Sequence, residues 1–103
     1  MTEAQFLQAV RDLAKLRGWL CYHTHDSRRS EPGFPDLLLV HPRTGQVVVA
    51  ELKSSSGRVS VAQQTWLDAL HLAGLTPHVW RPAHFATGQI QRALTPTPME
   101  AAL

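Results

Sequence analysis

Two apolar runs joined by a short polar segment constrain the fold of this chain more than any other feature. Residues 36–41 are rich in Leu, residues 46–53 are rich in Val, and the intervening Pro-Arg-Thr-Gly is typical of a turn. This pattern predicts an antiparallel hairpin, with the Leu-rich strand buried on both faces. If residues 42–45 form the turn, His41 faces Gln46 and the numbers of facing residues sum to 87.

Amphipathic segments on both sides of the hairpin predict helices. Thr2 with Gln5, and Ser60 with Gln63, have the spacing of capping boxes, which satisfy free N–H groups where a helix begins. The predicted elements are a helix at 2–16, strands at 19–24, 36–41 and 46–53, a helix at 61–73, an edge strand at 77–81 and a last helix at 84–94. This order predicts an α/β fold, with a central mixed sheet flanked by helices.

Length and composition narrow the class of protein. With 103 residues, the chain is long enough for one domain, which we predict at residues 1–94, followed by a flexible C-terminal tail at 95–103. No apolar run approaches the length of a membrane span, and no signal peptide is expected. The single Cys21 excludes an internal disulfide and a Cys-rich zinc site, and it suits a cytoplasmic protein. A net charge of +2 does not by itself demand nucleic acid.

Two carboxylates meet in the predicted hairpin. In the register above, Asp36 lies directly opposite Glu51, and facing residues have Cβ atoms about 4.5–5.5 Å apart. Like charges so placed beside an apolar sheet are destabilising unless something lies between them. A divalent cation with oxygen ligands fits that position. A register shifted by one residue would place the two carboxylates on opposite faces.

A lysine accompanies the two carboxylates. Lys53 lies two residues after Glu51, so its side chain leaves the strand on the same face. Two carboxylates, a metal ion and a lysine are the groups needed for metal-assisted phosphodiester hydrolysis. An exposed Glu51–Lys53 ion pair that contributes little is the alternative for this short motif alone. The paired Asp36 and the flanking helices make that alternative less favourable.

These residues resemble a known family. Pro35-Asp36 followed by Glu51-Leu52-Lys53 resembles the PD-(D/E)XK nuclease superfamily. The longer pattern is similar to its VRR-NUC family and includes Gly33-Phe34-Pro35-Asp36-Leu37, Ala50-Glu51-Leu52-Lys53, Gly57-Arg58, Gln63 and Trp66-Leu67. The resemblance runs from Glu3 to Arg81 and implies a restriction-endonuclease-like fold.

The resemblance also implies the ligands of a metal ion and the catalytic residues. Asp36, Glu51 and the Leu52 backbone carbonyl would bind Mg²⁺, for which Mn²⁺ can substitute, and Lys53 would be the catalytic lysine. Gln63 matches a family glutamine that contacts the lysine or a water molecule. Glu3 matches an acidic position that reaches the metal, although a favourable interaction with the helix dipole explains Glu3 equally well.

The resemblance further implies a substrate and a partner. Stand-alone members of the family occur in phages and bacteria, are similar to Holliday-junction resolvases, and act as homodimers. We therefore expect a structure-selective DNA endonuclease that cleaves four-way junctions or other branched DNA. A flap or mismatch nuclease, and a DNA-binding module without catalysis, are the alternatives that the sequence leaves open.

Several arginines lie in predicted loops. Arg28 and Arg29 precede the Leu-rich strand, and Arg58 precedes the second long helix. Arginine forms forked contacts with phosphate, so we predict that these three residues bind the DNA backbone. A solvated loop is the alternative. The six histidines match no zinc signature.

Overall fold

The computed structural model describes residues 1–24 and 31–98, which form an α/β fold with one mixed sheet. The elements are α1 (Glu3–Leu16), β1 (Leu20–His23), β2 (Leu37–Val40), β3 (Val47–Leu52), α2 (Val61–Leu72), β4 (Pro77–Trp80), α3 (Pro82–Ala86) and α4 (Gln89–Ala93). No helix in these two ranges has the length and apolar character that crossing a membrane requires.

Both long helices begin at the capping boxes that the sequence predicts. Thr2 Oγ1 accepts a hydrogen bond from Gln5 N at 3.1 Å, and Gln5 Oε1 accepts one from Thr2 N at 2.8 Å. Ser60 and Gln63 make the same pair of bonds at the start of α2. These bonds fix the first turn of each helix, and both first turns lie beside the site described below.

The sheet has the predicted hairpin register, and β4 lies at an edge, as the sequence predicts. Its strands lie in the order β1-β2-β3-β4, with β3 and β4 parallel and the other neighbouring pairs antiparallel. Leu37 faces Ala50, Val40 faces Val47, and His41 N donates to Gln46 O at 2.9 Å. The prediction that facing residues sum to 87 is therefore confirmed.

Helices bury the main core against one face of the sheet and cover the other face in part. On the first face, α1, α3 and α4 bury the main core of Phe6, Val10, Ala14, Trp19, Leu37, Leu39, Val48, Ala50, Trp80, Ile90 and Leu94. On the second face, α2 contacts β4, and both Leu67 and Val49 are buried. The β1–β2 half of this second face has no covering helix among the described residues.

The prediction that the Leu-rich strand is buried on both faces was wrong. Leu37 and Leu39 are fully buried, but Leu38 and Val40 on the other face are only half-buried. The reason is the position of α2, which lies towards β4 and leaves β2 open to solvent. The apolar run therefore predicted the strand correctly, but it overestimated how many of the side chains of β2 are buried.

The predicted last helix is divided into two short helices. Residues 84–94 were predicted as one helix, whereas α3 starts at Pro82 and α4 ends at Ala93. Gly88 lies between them with φ +84°, a left-handed conformation that ends a helix and that glycine adopts without strain. The chain then turns so that Ile90 and Leu94 enter the main core.

Part of the predicted C-terminal tail contacts the hairpin. Thr97 N donates to Gln46 Oε1 at 2.8 Å, and Leu94 O accepts from Trp19 Nε1 at 2.9 Å. Residues 99–103 of that segment lie outside the described residues. The domain limit at residue 94 and the flexibility of the tail stay predictions.

The loop before β2 packs tightly on the first turn of α2. Gly33 has φ +87°, and a Cβ built on it would lie 2.4 Å from the carbonyl carbon and oxygen of Ala62. Phe34 meets Trp66 edge to face with ring centroids 5.1 Å apart, and Pro35 is fully buried. This packing holds the start of α2 against the start of β2.

Gly33→Ala should therefore destabilise the protein more than a matched substitution at Gly45. Both glycines have positive φ, which costs about 1–2 kcal/mol for a side chain. Only Gly33 also meets backbone atoms, and such overpacking typically adds about 1–3 kcal/mol. Chemical denaturation of both variants measures the difference in the free energy of unfolding, and equal losses would contradict the tight packing.

Candidate active site

Asp36 and Glu51 lie together at the end of the hairpin away from its turn. Asp36 comes just before β2, and the register that pairs Leu37 with Ala50 places it opposite Glu51 when it is continued by one residue. Asp36 Oδ2 accepts a hydrogen bond from Leu52 N at 2.8 Å. This bond holds the Asp36 carboxyl group over β3, beside the Glu51 side chain.

Glu51 is buried with one oxygen atom that has no partner. Its side chain is 3% exposed, and its Oε2 atom has no hydrogen bond. The pKa of Glu51 is raised from 4.5 to about 9, mainly by burial and also by a hydrogen bond and charge repulsion from Asp36, while the charge of Lys53 lowers it. The carboxyl group is therefore neutral at pH 7 when no cation is bound.

Lys53 is the first residue after β3, and its backbone is held by β4. Its N–H donates to Trp80 O at 2.9 Å, which continues the parallel pairing of β3 with β4 by one bond. The half-buried side chain lies close enough to Glu51 for its positive charge to lower the pKa of that carboxyl. The predicted grouping of two carboxylates and a lysine is therefore present in the structure.

These side chains line an open cavity of about 310 Å³ at one end of the sheet. The first turns of both long helices flank it. Its lining residues are Glu3, Ala4, Leu7, His23, Asp36, Glu51, Leu52, Lys53 and Gln63. All six residues that were predicted as catalytic residues or metal ligands thus border one cavity.

Gln63 borders the cavity while it also caps α2. Its Oε1 atom accepts a hydrogen bond from Ser60 N at 2.8 Å. The Nε2 donor of Gln63 has no part in this cap. Contact of Gln63 with a water molecule or with Lys53 stays a prediction.

The donor set at this site fits a divalent cation. Two neighbouring carboxyl groups offer oxygen atoms, which hard divalent ions prefer, and Glu51 Oε2 has no other partner. Within residues 1–24 and 31–98, no group of three His, Cys, Asp or Glu side chains converges closely enough to hold a metal ion. The two carboxyl groups therefore require a further oxygen donor, from the backbone, from water or from a substrate.

The structure adds three residues to this cavity that the sequence did not indicate, the apolar Ala4 and Leu7 and the polar His23. His23 ends β1, faces Leu37 in the sheet and lines the cavity. The short turn at residues 42–45 fixes the register of β2 against β3. A long connection joins β1 to β2, so the register of β1 against β2 could not be read from the sequence.

The predicted DNA-binding arginines lie away from the cavity or outside the described residues. Arg58 is exposed in the loop before α2 and does not line the cavity. Arg28 and Arg29 fall in residues 25–30, which the structure does not describe. Their role in binding DNA stays a prediction.

An acidic pair on a β-hairpin beside a strand-end lysine, on a mixed sheet flanked by helices, defines the PD-(D/E)XK class of nuclease domains. Within this class, the model of the VRR-NUC domain family matches residues 2–81, and the chain belongs to that family.

A relative shares part of this domain. Over 52 residues the chain is 40% identical to a Fanconi-associated nuclease 1 homologue from Caenorhabditis elegans. The matched segment is 50% of this chain but only 6% of that protein. No solved structure gives a significant match to the chain.

Glu51→Gln, which imitates the protonated carboxyl group, should change how stability depends on pH. The pKa of Glu51 rises from 4.5 to about 9 on folding. As the pH increases, Glu51 therefore loses its proton at a lower pH in the unfolded chain than in the folded protein. The metal-free wild-type protein should lose stability across this interval, by up to about 1.4 kcal/mol per pH unit. The variant should lack this loss.

Urea denaturation of both proteins in EDTA at several pH values measures this effect. Burial lowers the pKa of His78, which acts in the opposite direction, but His78 is common to both proteins and cancels in their difference. A difference that does not vary with pH would contradict a neutral Glu51.

Proposed function

We propose that this protein is a metal-dependent, structure-selective DNA endonuclease that hydrolyses phosphodiester bonds in Holliday junctions or other branched DNA. The observation that supports it best is the buried Glu51 carboxyl group, with an unpartnered oxygen, beside Asp36 and Lys53. A folded domain without chemistry would gain nothing from this pair, since burying it is unfavourable. Membership of the VRR-NUC family supports the same activity.

Each residue of the site has a separate role in the proposed reaction. Asp36, Glu51 and the Leu52 carbonyl would hold Mg²⁺ or Mn²⁺, and Glu3 would reach the ion through water. The ion supplies Lewis-acid chemistry at the phosphate group when it is bound. The Lys53 ammonium group stabilises the negative charge that develops on the phosphoryl oxygens. Gln63, which borders the cavity, would orient water there.

Recognition of branched DNA would depend mainly on phosphate contacts. Arg28, Arg29 and Arg58 are placed in sequence on both sides of the hairpin that carries the site. Contacts to phosphate fix position and carry no base sequence. A domain this small therefore suits selection by DNA shape.

Cleavage of a four-way junction requires two active sites, which a homodimer supplies. The structure offers one apolar surface for a second copy, made of Leu20, Tyr22, Leu38 and Val40 on the uncovered half of the sheet. Leu20 is 61% and Tyr22 is 62% exposed. A two-fold axis brings the same patch of both copies together, so a mainly apolar patch meets another mainly apolar patch.

A panel of DNA substrates tests this function directly. Four-way junctions, flaps, mismatched duplexes and plain duplex should be incubated with the protein in Mg²⁺, in Mn²⁺ and in EDTA. We expect cleavage of branched DNA in either metal and none in EDTA. Binding without cleavage in every metal would instead favour a DNA-binding module without catalysis.

Two substitutions should separate the lysine from the metal ligands. Lys53→Ala should lower the cleavage rate roughly a hundredfold or more and leave metal affinity unchanged. Asp36→Asn should weaken Mn²⁺ binding, because the amide keeps the acceptor for Leu52 N but loses the charge. Single-turnover cleavage and calorimetric titration with Mn²⁺ measure both quantities. Lys15→Ala, in the last turn of α1, is the control, and normal turnover by Lys53→Ala would remove the lysine from the mechanism.

Charge placed on the apolar surface should dissociate the dimer. We expect the wild-type protein to have twice the 11.4 kDa mass of one chain in solution. A double variant with Leu20→Asp and Tyr22→Asp should have the single-chain mass, since an unpaired charge in an interface is unfavourable. Leu16→Asp, on an exposed residue of α1, is the control. Sedimentation measures the mass, and a monomeric wild-type protein would contradict this arrangement.

A further inference from the structure

An arginine outside the cavity holds the loop that follows the candidate catalytic lysine. This loop joins β3 to α2, and Arg81 lies opposite it, just after β4. Arg81 Nη1 donates to Ser54 O at 2.6 Å and to Gly57 O at 2.7 Å. The same two loop residues form a turn, because Gly57 N donates to Ser54 O at 3.3 Å. One guanidinium nitrogen thus binds both carbonyls at the ends of the turn.

The turn held by Arg81 lies against the Lys53 side chain. A Cβ built on Gly57 would lie 3.5 Å from Lys53 Cδ and 2.9 Å from Ser54 Oγ. The backbone of Gly57 therefore lies near the aliphatic part of the lysine, within about one methyl group of Lys53 Cδ. Lys53 N also donates to the carbonyl of Trp80, the residue before Arg81. The turn therefore borders the Lys53 side chain, and β4 holds the Lys53 backbone.

Arg81 is itself fixed by its neighbours. Its backbone N–H donates to His84 Nδ1 at 2.9 Å, and Pro82 begins α3 directly after it. The side chain is half-buried, and hydrogen bonds from a charged donor to carbonyls are stronger than neutral ones. The guanidinium group therefore links the loop to the residues between β4 and α3.

We propose that Arg81 is a positioning residue of the nuclease reaction, which orders the Ser54–Gly57 turn and thereby fixes the Lys53 ammonium group in the cavity. This inference rests on the proposed function. Arg81 acts through Lys53 and contacts neither the metal ion nor the DNA. Its loss should lower the rate of the chemical step and leave the affinities for metal and DNA unchanged.

Arg81→Met tests this role because it removes the guanidinium group and keeps the apolar part of the side chain. Arg17→Met is a matched control. Arg17 is also half-buried and also donates to a backbone carbonyl, that of Gln91, but it lies at the far end of α1. A helix of 14 residues places that end about 20 Å from Glu3. Both variants are studied at a temperature at which they are fully folded.

Three measurements give the expected pattern. In Arg81→Met, the Gly57 amide should exchange its hydrogen faster, and the single-turnover cleavage rate at saturating DNA should fall at least tenfold. The dissociation constants for Mn²⁺ and for a four-way junction should change less than twofold. Arg81→Lys, which keeps a charged donor, should recover part of the rate. Arg17→Met should cleave at the wild-type rate.

Two outcomes would overturn the inference. The first is an Arg81→Met protein that cleaves as fast as the wild type. The second is a loss confined to DNA affinity, with a smaller dependence on salt, because it would show that Arg81 contacts phosphate directly. A wild-type protein that cleaves no DNA would overturn the proposed function instead. Amide exchange at Gly57 needs no cleavage and would still show whether Arg81 orders the turn.

Discussion

The buried contact between the carboxyl groups of Glu51 and Asp36 is the interaction on which the rest of the structure depends. Ionisation of both groups side by side is unfavourable in the absence of a cation, which is why the pKa of Glu51 is raised to about 9. The surrounding fold holds the two groups together despite this. Asp36 is tied to β3 through Leu52 N, and Gly33 lets the loop before Asp36 pack against α2. A rigid framework of this kind preserves the geometry that a bound ion needs.

Sequence was sufficient for this central contact because its geometry is local. The turn at residues 42–45 is short and carries residues that specify it, so one hairpin register follows and places Asp36 opposite Glu51. The capping boxes are equally local, since each one uses residues only three positions apart. The fold class, the hairpin and the start of each long helix could therefore be predicted before any coordinates.

Features that depend on long-range packing could not be predicted in this way. The apolar run at residues 37–40 has the same composition whether α2 covers it or not, so the open half of the sheet was missed. His23 reaches the cavity through the register of β1, which no short turn fixes. The break at Gly88 brings Ile90 and Leu94 into the core. The helical pattern of the sequence gave no reason to expect an interruption there.

The acidic residues of the site are held by a strand, whereas Lys53 lies at the start of a loop, and this difference affects how precisely each side chain is positioned. Glu51 lies within β3, where backbone hydrogen bonds on both sides restrict movement, and Asp36 is tied to the same strand through Leu52 N. The lysine lies where β3 gives way to a loop, and groups on loops are held less precisely than groups on strands. Precision at Lys53 must therefore come from outside the hairpin, and in this chain β4 and the residue that follows it are the parts that contact the loop. The acidic pair thus lies within one hairpin, whereas Lys53 and the loop that follows it are also held by β4 and Arg81.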